Sequence, residues 1–212
     1  MIAKPTLIEE MLLWDQGYDY VIGIDEVGRG AFAGPVVAAA VVYPKNYLLD
    51  KLSKIHDSKL LKPAVRETID KEIRANCQHF GIGLVDVHTI NKEGIGKATF
   101  RAMIQAVESI MYYVASSKKC FLLIDGLSAP QIKDHKQKAI VKGDQKCLSI
   151  AAASIIAKVY RDALMQKLHD GFPQYGFAEN KGYGTKSHRD ALKQHGLCHL
   201  HRTSFDLQKF LS

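Results

Sequence analysis

A chain of 212 residues, 47% hydrophobic and 24% charged, can bury a substantial core without disulfides or a structural metal. Four widely spaced cysteines with no C-x-x-C pair argue against a disulfide framework or a zinc site. A net charge of +7, from 29 Lys and Arg against 22 Asp and Glu, favours a polyanionic partner. Cys77, Cys120, Cys147 and Cys198 read as buried thiols in a reducing compartment. The first 20 residues carry Glu9, Glu10 and Asp15, which no leader tolerates, and no apolar run reaches the length of a membrane span. A cytoplasmic protein of a single domain is expected.

Residues 6–14 read as a short amphipathic helix, capped by Thr6, with Ile8, Met11 and Leu12 on one face. Residues 18–25 and 36–43 are apolar runs joined by a loop too short for a helical crossover, which predicts an antiparallel pair. Their near-continuous Val, Ile and Ala content predicts cover on both faces. Residues 56–63 are polar and irregular. Pro63 then suits the first turn of a helix whose buried stripe is Val65, Ile69, Ile73 and Cys77. Residues 80–87 form a third strand.

Residues 89–115 read as a second helix, bent early by Gly94 and Gly96 and lined by Ala98, Ala102, Ala106, Ile110 and Val114. Residues 120–125 are a buried-strand pattern ending on Asp125, and 139–141 are a shorter strand left through Lys142-Gly143-Asp144. The third long helix, 149–168, is apolar nearly all round at its start and should be deeply packed. Residues 172–185 read as a polar, aromatic loop. A short helix over 187–195 ends at Gly196, and Phe205, Leu207, Phe210 and Leu211 dock the tail on the core.

Chemistry concentrates where carboxylates meet strand ends. Asp25 and Asp125 each close an apolar strand, and Asp144 follows a third. Sites in open α/β sheets gather outside strand ends, so the three acids are candidates to converge. Glu26 joins them only if its strand stops or bulges, since neighbours in a strand face opposite ways. Clustered carboxylates without His or Cys suit Mg²⁺ or Mn²⁺, and such sets hold two ions in phosphodiester cleavage. The loop that follows, Gly28-Arg29-Gly30 to Gly34-Pro35, offers amides and a guanidinium to a phosphate. The plainer alternative is a tight turn with a surface salt bridge, and three unrelated acids at caps and turns.

Gly23-Ile24-Asp25-Glu26-Val27-Gly28-Arg29-Gly30 and Gly34-Pro35-Val36 resemble the signature of type 2 ribonuclease H, the ribonuclease HII family. Further blocks match in order: Asp57-Ser58-Lys59-Leu60, Ile124-Asp125-Gly126, Lys142-Gly143-Asp144 and residues 152–159. Arg161-Asp162, Gly182-Tyr183-Gly184-Thr185 and His201-Arg202-Thr203-Ser204-Phe205 complete the series, so the resemblance spans about residues 18–206.

The resemblance implies an α/β fold: a ribonuclease H-like mixed β-sheet flanked by α-helices. It implies a catalytic core over about 18–185 and a C-terminal helical extension over about 186–212. It implies an endoribonuclease that cleaves the RNA strand of RNA–DNA hybrids and nicks 5′ of ribonucleotides embedded in duplex DNA. Its metal-binding acids fall on Asp25, Glu26, Asp125 and Asp144, with Mg²⁺ or Mn²⁺ as cofactor. Its substrate-reading residues fall on Gly28, Arg29, Gly30 and Tyr183. Lys59, Ser154 and Lys158 are further expected substrate contacts, and Lys142, Lys146, Lys181 and Lys186 are candidates for phosphate. A monomer is expected. Two other classes remain for comparison: a branched-DNA nuclease or strand transferase of the same fold, and a non-catalytic nucleic-acid-binding module.

Overall fold

The computed structural model describes residues 4–45, 62–114, 119–126, 132 and 135–211. Lys59, with the rest of the 56–61 stretch, lies outside the described residues. Among those described, the strands are β1 (Tyr20–Val27), β2 (Val36–Val42), β3 (His79–Val85), β4 (Cys120–Asp125) and β5 (Lys136–Ile140). They form one sheet in the order β3-β2-β1-β4-β5. β1 pairs antiparallel with β2, and β2 with β3, whereas β1, β4 and β5 run parallel. The sheet is therefore mixed, as expected.

Helices α1 (Ile8–Asp15), α2 (Pro63–Asn76), α3 (Val87–Glu93), α4 (Ile95–Val114), α5 (Leu148–Gly171), α6 (Phe177–Asn180) and α7 (Lys186–His195) cover it. Strand alternation sends Val37, Ala39 and Val41 toward α5, and Val36, Ala38, Ala40 and Val42 toward α4. Every residue of β2 is buried, which explains why its sequence does not alternate. Small residues let α4 lie close: a Cβ on Gly83 would stand 2.0 Å from the Ala102 carbonyl oxygen, and one on Gly81 2.2 Å from that of Ala106. The expected stripe of Ala98, Ala102, Ala106, Ile110 and Val114 is buried throughout. Instead of bending, the 89–115 helix breaks at Gly94, where φ is +83°.

Three expectations need correction. Ile8, Met11 and Leu12 are exposed, and α1 packs instead through Glu10, Leu13 and Trp14. The reason lies far along the chain. Glu10 accepts hydrogen bonds from the Ser149 amide at 2.9 Å and its hydroxyl at 2.6 Å, satisfying the start of α5, which has no cap of its own. On α2, Val65 is exposed and Cys77 half-buried, while Arg66 and Asp70 are buried. Arg66 reaches Asp162 of α5 at 3.3 Å, so that stripe is partly ionic. Finally, 172–185 is no simple polar loop. It holds a 3₁₀ turn (Pro173–Tyr175) and α6, and its Tyr175 and Phe177 are buried with Ala33, Met165 and Leu192 in a third core cluster. Leu207 is buried, Phe205 packs against the α4 side, and Phe210 and Leu211 pack on the third cluster, so the tail docks. All four cysteines are free; Cys120 and Cys147 are buried, Cys77 and Cys198 half-buried. Among the described residues, no helix is long and apolar enough to cross a membrane.

Candidate active site

Parallel pairing of Ile24 with Ile124 sets Asp25, two residues before the end of β1, beside Asp125, the last residue of β4. Asp125 pairs with Ile140, and the chain then turns through Lys142, whose φ is +54°, into a 3₁₀ turn carrying Asp144. The Gly143 amide donates to Asp125 Oδ1 at 2.6 Å, tying the third acidic segment to the second. Asp25 and Asp144 are buried, and Asp125 and Glu26 half-buried.

Asp25 accepts from the Glu26 amide at 2.7 Å and from the Ser154 hydroxyl of α5. Burial, then the neighbouring charges of Glu26 and Asp125, raise its pKa well above the usual carboxylate range. A cation would relieve that repulsion. β1 neither stops nor bulges at Glu26, which pairs with Ala38. Glu26 consequently points away from Asp25, into a cavity of about 380 Å³ that it lines with Arg29, Thr99, Phe100, Met103, Asp125 and Gly126. Among the described residues, no group of three or more His, Cys, Asp or Glu stands ready-made to hold a metal ion. The donor chemistry still fits: the acids at these strand ends are oxygen donors, the kind Mg²⁺ and Mn²⁺ take. The Thr99 hydroxyl, buried and without a hydrogen-bond partner, lines the same cavity.

The glycine loop follows directly. Gly28 is buried with φ +88°, whereas Arg29 and Gly30 are exposed and Arg29 stands 4.0 Å from Glu26. Two buried arginines hold this loop. Arg161 of α5 donates to the carbonyls of Pro35 (2.9 Å), Ala33 (3.1 Å) and Lys181 (2.8 Å). Arg202 of the tail donates to Gly34 (2.8 and 3.0 Å) and Arg29 (2.9 Å). Burial lowers both pKa values, Arg202 to about 9, and both stay charged at neutral pH.

Tyr183 joins the loop from the far side. Phe32 and Ala33 amides both donate to the Gly182 carbonyl, and the Tyr183 ring lies 5.4 Å from the Arg161 guanidinium and 5.8 Å from Lys158 Nζ. Lys158 is thus near the expected reader, although it pairs with Asp162 at 2.8 Å. Ser154 is buried, and its hydroxyl donates to Asp25. Arg161 and Arg202 received no role from the sequence. Their signal was available in part: Ser154, Lys158 and Arg161 recur at four and three residues, one face of α5.

Comparison with known proteins gives the family and the fold. A family model described as Ribonuclease HII matches residues 22–208. A ribonuclease HII of Caldanaerobacter subterraneus subsp. tengcongensis is 44% identical over 196 residues, 92% of this chain and 78% of that protein. Among solved structures, ribonuclease H2 from Pyrococcus horikoshii OT3 superposes with a TM-score of 0.72 at 24% identity, covering 91% of this chain and 97% of that one. A complex of Bst-RNase HIII with Mn²⁺ gives 0.73 at 20% identity, over 94% of this chain and 71% of that one; it shares the fold. With its mixed sheet, its paired strand-end acids and this match, the chain belongs to the ribonuclease HII family and is a ribonuclease H, a hydrolytic nuclease.

Proposed function

We propose that the chain cleaves the RNA strand of RNA–DNA hybrids endonucleolytically and nicks on the 5′ side of single ribonucleotides embedded in duplex DNA. The supporting observation is one of adjacency. Asp25, near the C-terminal end of β1, lies beside Asp125, which ends the neighbouring parallel strand β4, and the arginine-braced Gly28-Arg29-Gly30 loop begins three residues after Asp25. Asp25, Asp125 and Asp144 would hold Mg²⁺ or Mn²⁺, and Glu26, although its strand runs on regularly, would join through the cavity that it lines with Asp125; bound ions of this kind activate water and stabilise the leaving oxygen.

The chain's own residues supply selection. Arg161 and Arg202 take the carbonyls of Arg29, Ala33, Gly34 and Pro35, fixing the loop without occupying its amides. Amides of Gly28, Arg29 and Gly30 would then meet a 2′-hydroxyl, the group that distinguishes RNA from DNA. Tyr183 would lay its ring against the following deoxyribose, where a further hydroxyl would crowd it. Sites built for a hydroxyl reject substrates lacking it, because their polar groups are left unpaired. The half-buried Lys158 and the exposed lysines supply the salt-dependent phosphate attraction.

The test is a cleavage map. Duplex DNA with one ribonucleotide, a long RNA–DNA hybrid and an all-DNA duplex are digested with and without Mg²⁺. A nick 5′ of the ribonucleotide, hybrid degradation and an intact DNA duplex are expected. Degradation of the hybrid with the single-ribonucleotide duplex untouched would remove the junction-reading role.

A further inference from the structure

His188 in α7 and His201 in the tail are fully buried, and their Nε2 atoms lie 3.1 Å apart. Bonds at the other ring nitrogens fix where the protons sit. His201 Nδ1 faces the Cys198 amide at 2.9 Å, the Cys198 thiol at 3.2 Å and the Cys198 carbonyl oxygen at 3.3 Å; the amide, which only donates, makes the shortest of the three contacts, so Nδ1 is the acceptor and the proton lies on Nε2. A carbonyl only accepts, so Tyr183 O, 3.0 Å from His188 Nδ1, holds the His188 proton there and leaves its Nε2 as acceptor. One directed chain results: Cys198 amide to His201, His201 to His188, His188 to the Tyr183 carbonyl. Both rings are neutral in it, and burial lowers the pKa of each.

The ends of this chain reach the two halves of the proposed substrate reader. His201 forms an antiparallel bridge with Ala33, and Arg202 beside it holds the Arg29 and Gly34 carbonyls. His188 holds the peptide of Tyr183 itself. Aromatic packing does not require this. Tyr175, Phe177 and Phe32 surround the pair at 4.8 to 6.0 Å between ring centres, and a phenylalanine would fill such a space.

We propose that His188 and His201 are positioning residues that set the Tyr183 backbone against the Gly28-Arg29-Gly30 loop, and with it the preference for a ribonucleotide–DNA junction over a uniform hybrid. The inference rests on the reading of Tyr183 as the deoxyribose contact. The readout is the ratio of kcat/KM for a duplex with one ribonucleotide to that for a long hybrid, together with imidazole ¹⁵N spectra. Wild-type spectra should show His188 protonated at Nδ1 and His201 at Nε2. His188→Leu should lower the ratio about fivefold, the worth of roughly one hydrogen bond. His188→Asn, whose amide can donate where Nδ1–H did, should recover most of that loss.

The opposite tautomers in the wild type would overturn the proposal. So would a wild-type ratio in His188→Leu when Tyr183→Ala has lowered it. A wild-type ratio in Tyr183→Ala is a separate outcome, which overturns the reading of Tyr183 itself and the proposal with it. Should His188→Leu fail to fold, the spectra and the comparison of His188→Asn with the wild type still decide.

Discussion

Arg161 Nε donates to the Pro35 carbonyl at 2.9 Å while its guanidinium lies 5.4 Å from the centre of the Tyr183 ring. One side chain of α5 therefore touches both walls of the proposed substrate reader. It donates to carbonyls from two loops, Ala33 and Pro35 on one side and Lys181 on the other. Arg161→Lys keeps the charge but has no planar fork to span them. It should lose about 2–4 kcal/mol of stability, as when buried carbonyls lose partners, and be impaired on both substrates. Urea unfolding and the two cleavage assays measure this; unchanged stability would remove the brace.

Asp25→Asn should abolish most cleavage yet raise the melting temperature. Burial and the charges of Glu26 and Asp125 raise the Asp25 pKa in the folded state above its unfolded value near 3.8. The folded chain then binds the proton more tightly than the unfolded one, so stability falls as pH rises from about that value. Asparagine removes the charge and can still accept from Ser154 and the Glu26 amide. Thermal melts at neutral pH without divalent ions should show the gain, and a lowered melting temperature would contradict it.

The strands and the acids that end them were legible because those signals are local: an apolar run, a carboxylate, a glycine. The face of α1 was not, since Glu10 breaks the apolar pattern and its partner Ser149 lies 139 residues away. Tyr175 and Phe177 look like loop residues in sequence and are buried because the glycine loop, α5, α7 and the tail, all distant in sequence, converge on them. Arg161 and Arg202 were present in the matched blocks, but their acceptors are main-chain carbonyls, which no residue letter displays. The pairing of Asp25 with Asp125 could be guessed from strand ends; the regular course of β1 through Glu26 could not.

Acid should loosen the C-terminal part through His201. Burial, and then His188, hold its pKa at about 4 against an unfolded value of 6.5. The unfolded chain takes up the proton first, so the contribution is complete above about pH 6.5 and is lost as pH falls toward 4. The loss should approach about 3–4 kcal/mol, at about 1.4 kcal/mol for each pH unit between 6.5 and 4. His201→Asn removes the titrating group, and its stability should fall less steeply over that window. Equal slopes for variant and wild type, by urea unfolding at successive pH values, would show that other groups govern acid sensitivity.

Gly28 and Gly30 look equivalent in sequence, each flanking Arg29, but the structure separates them. Gly28 sits at φ +88°, and a Cβ there would stand 2.1 Å from Arg161 Nε. Gly28→Ala must distort the loop or displace the arginine that braces it, so folding and cleavage should suffer together. Around Gly30 nothing lies within 4 Å of an added Cβ, and no positive φ is present. Gly30→Ala should therefore fold normally, within about 0.5 kcal/mol of the wild type, as exposed substitutions usually do. A methyl group at that exposed position meets only what approaches from outside. If the loop amides contact the ribose, Gly30→Ala should cut kcat/KM at least tenfold on both substrates with its melting temperature unchanged. Full activity in a well-folded Gly30→Ala would mean that the substrate backbone does not come close there, and that recognition of the 2′-hydroxyl belongs to another part of the loop.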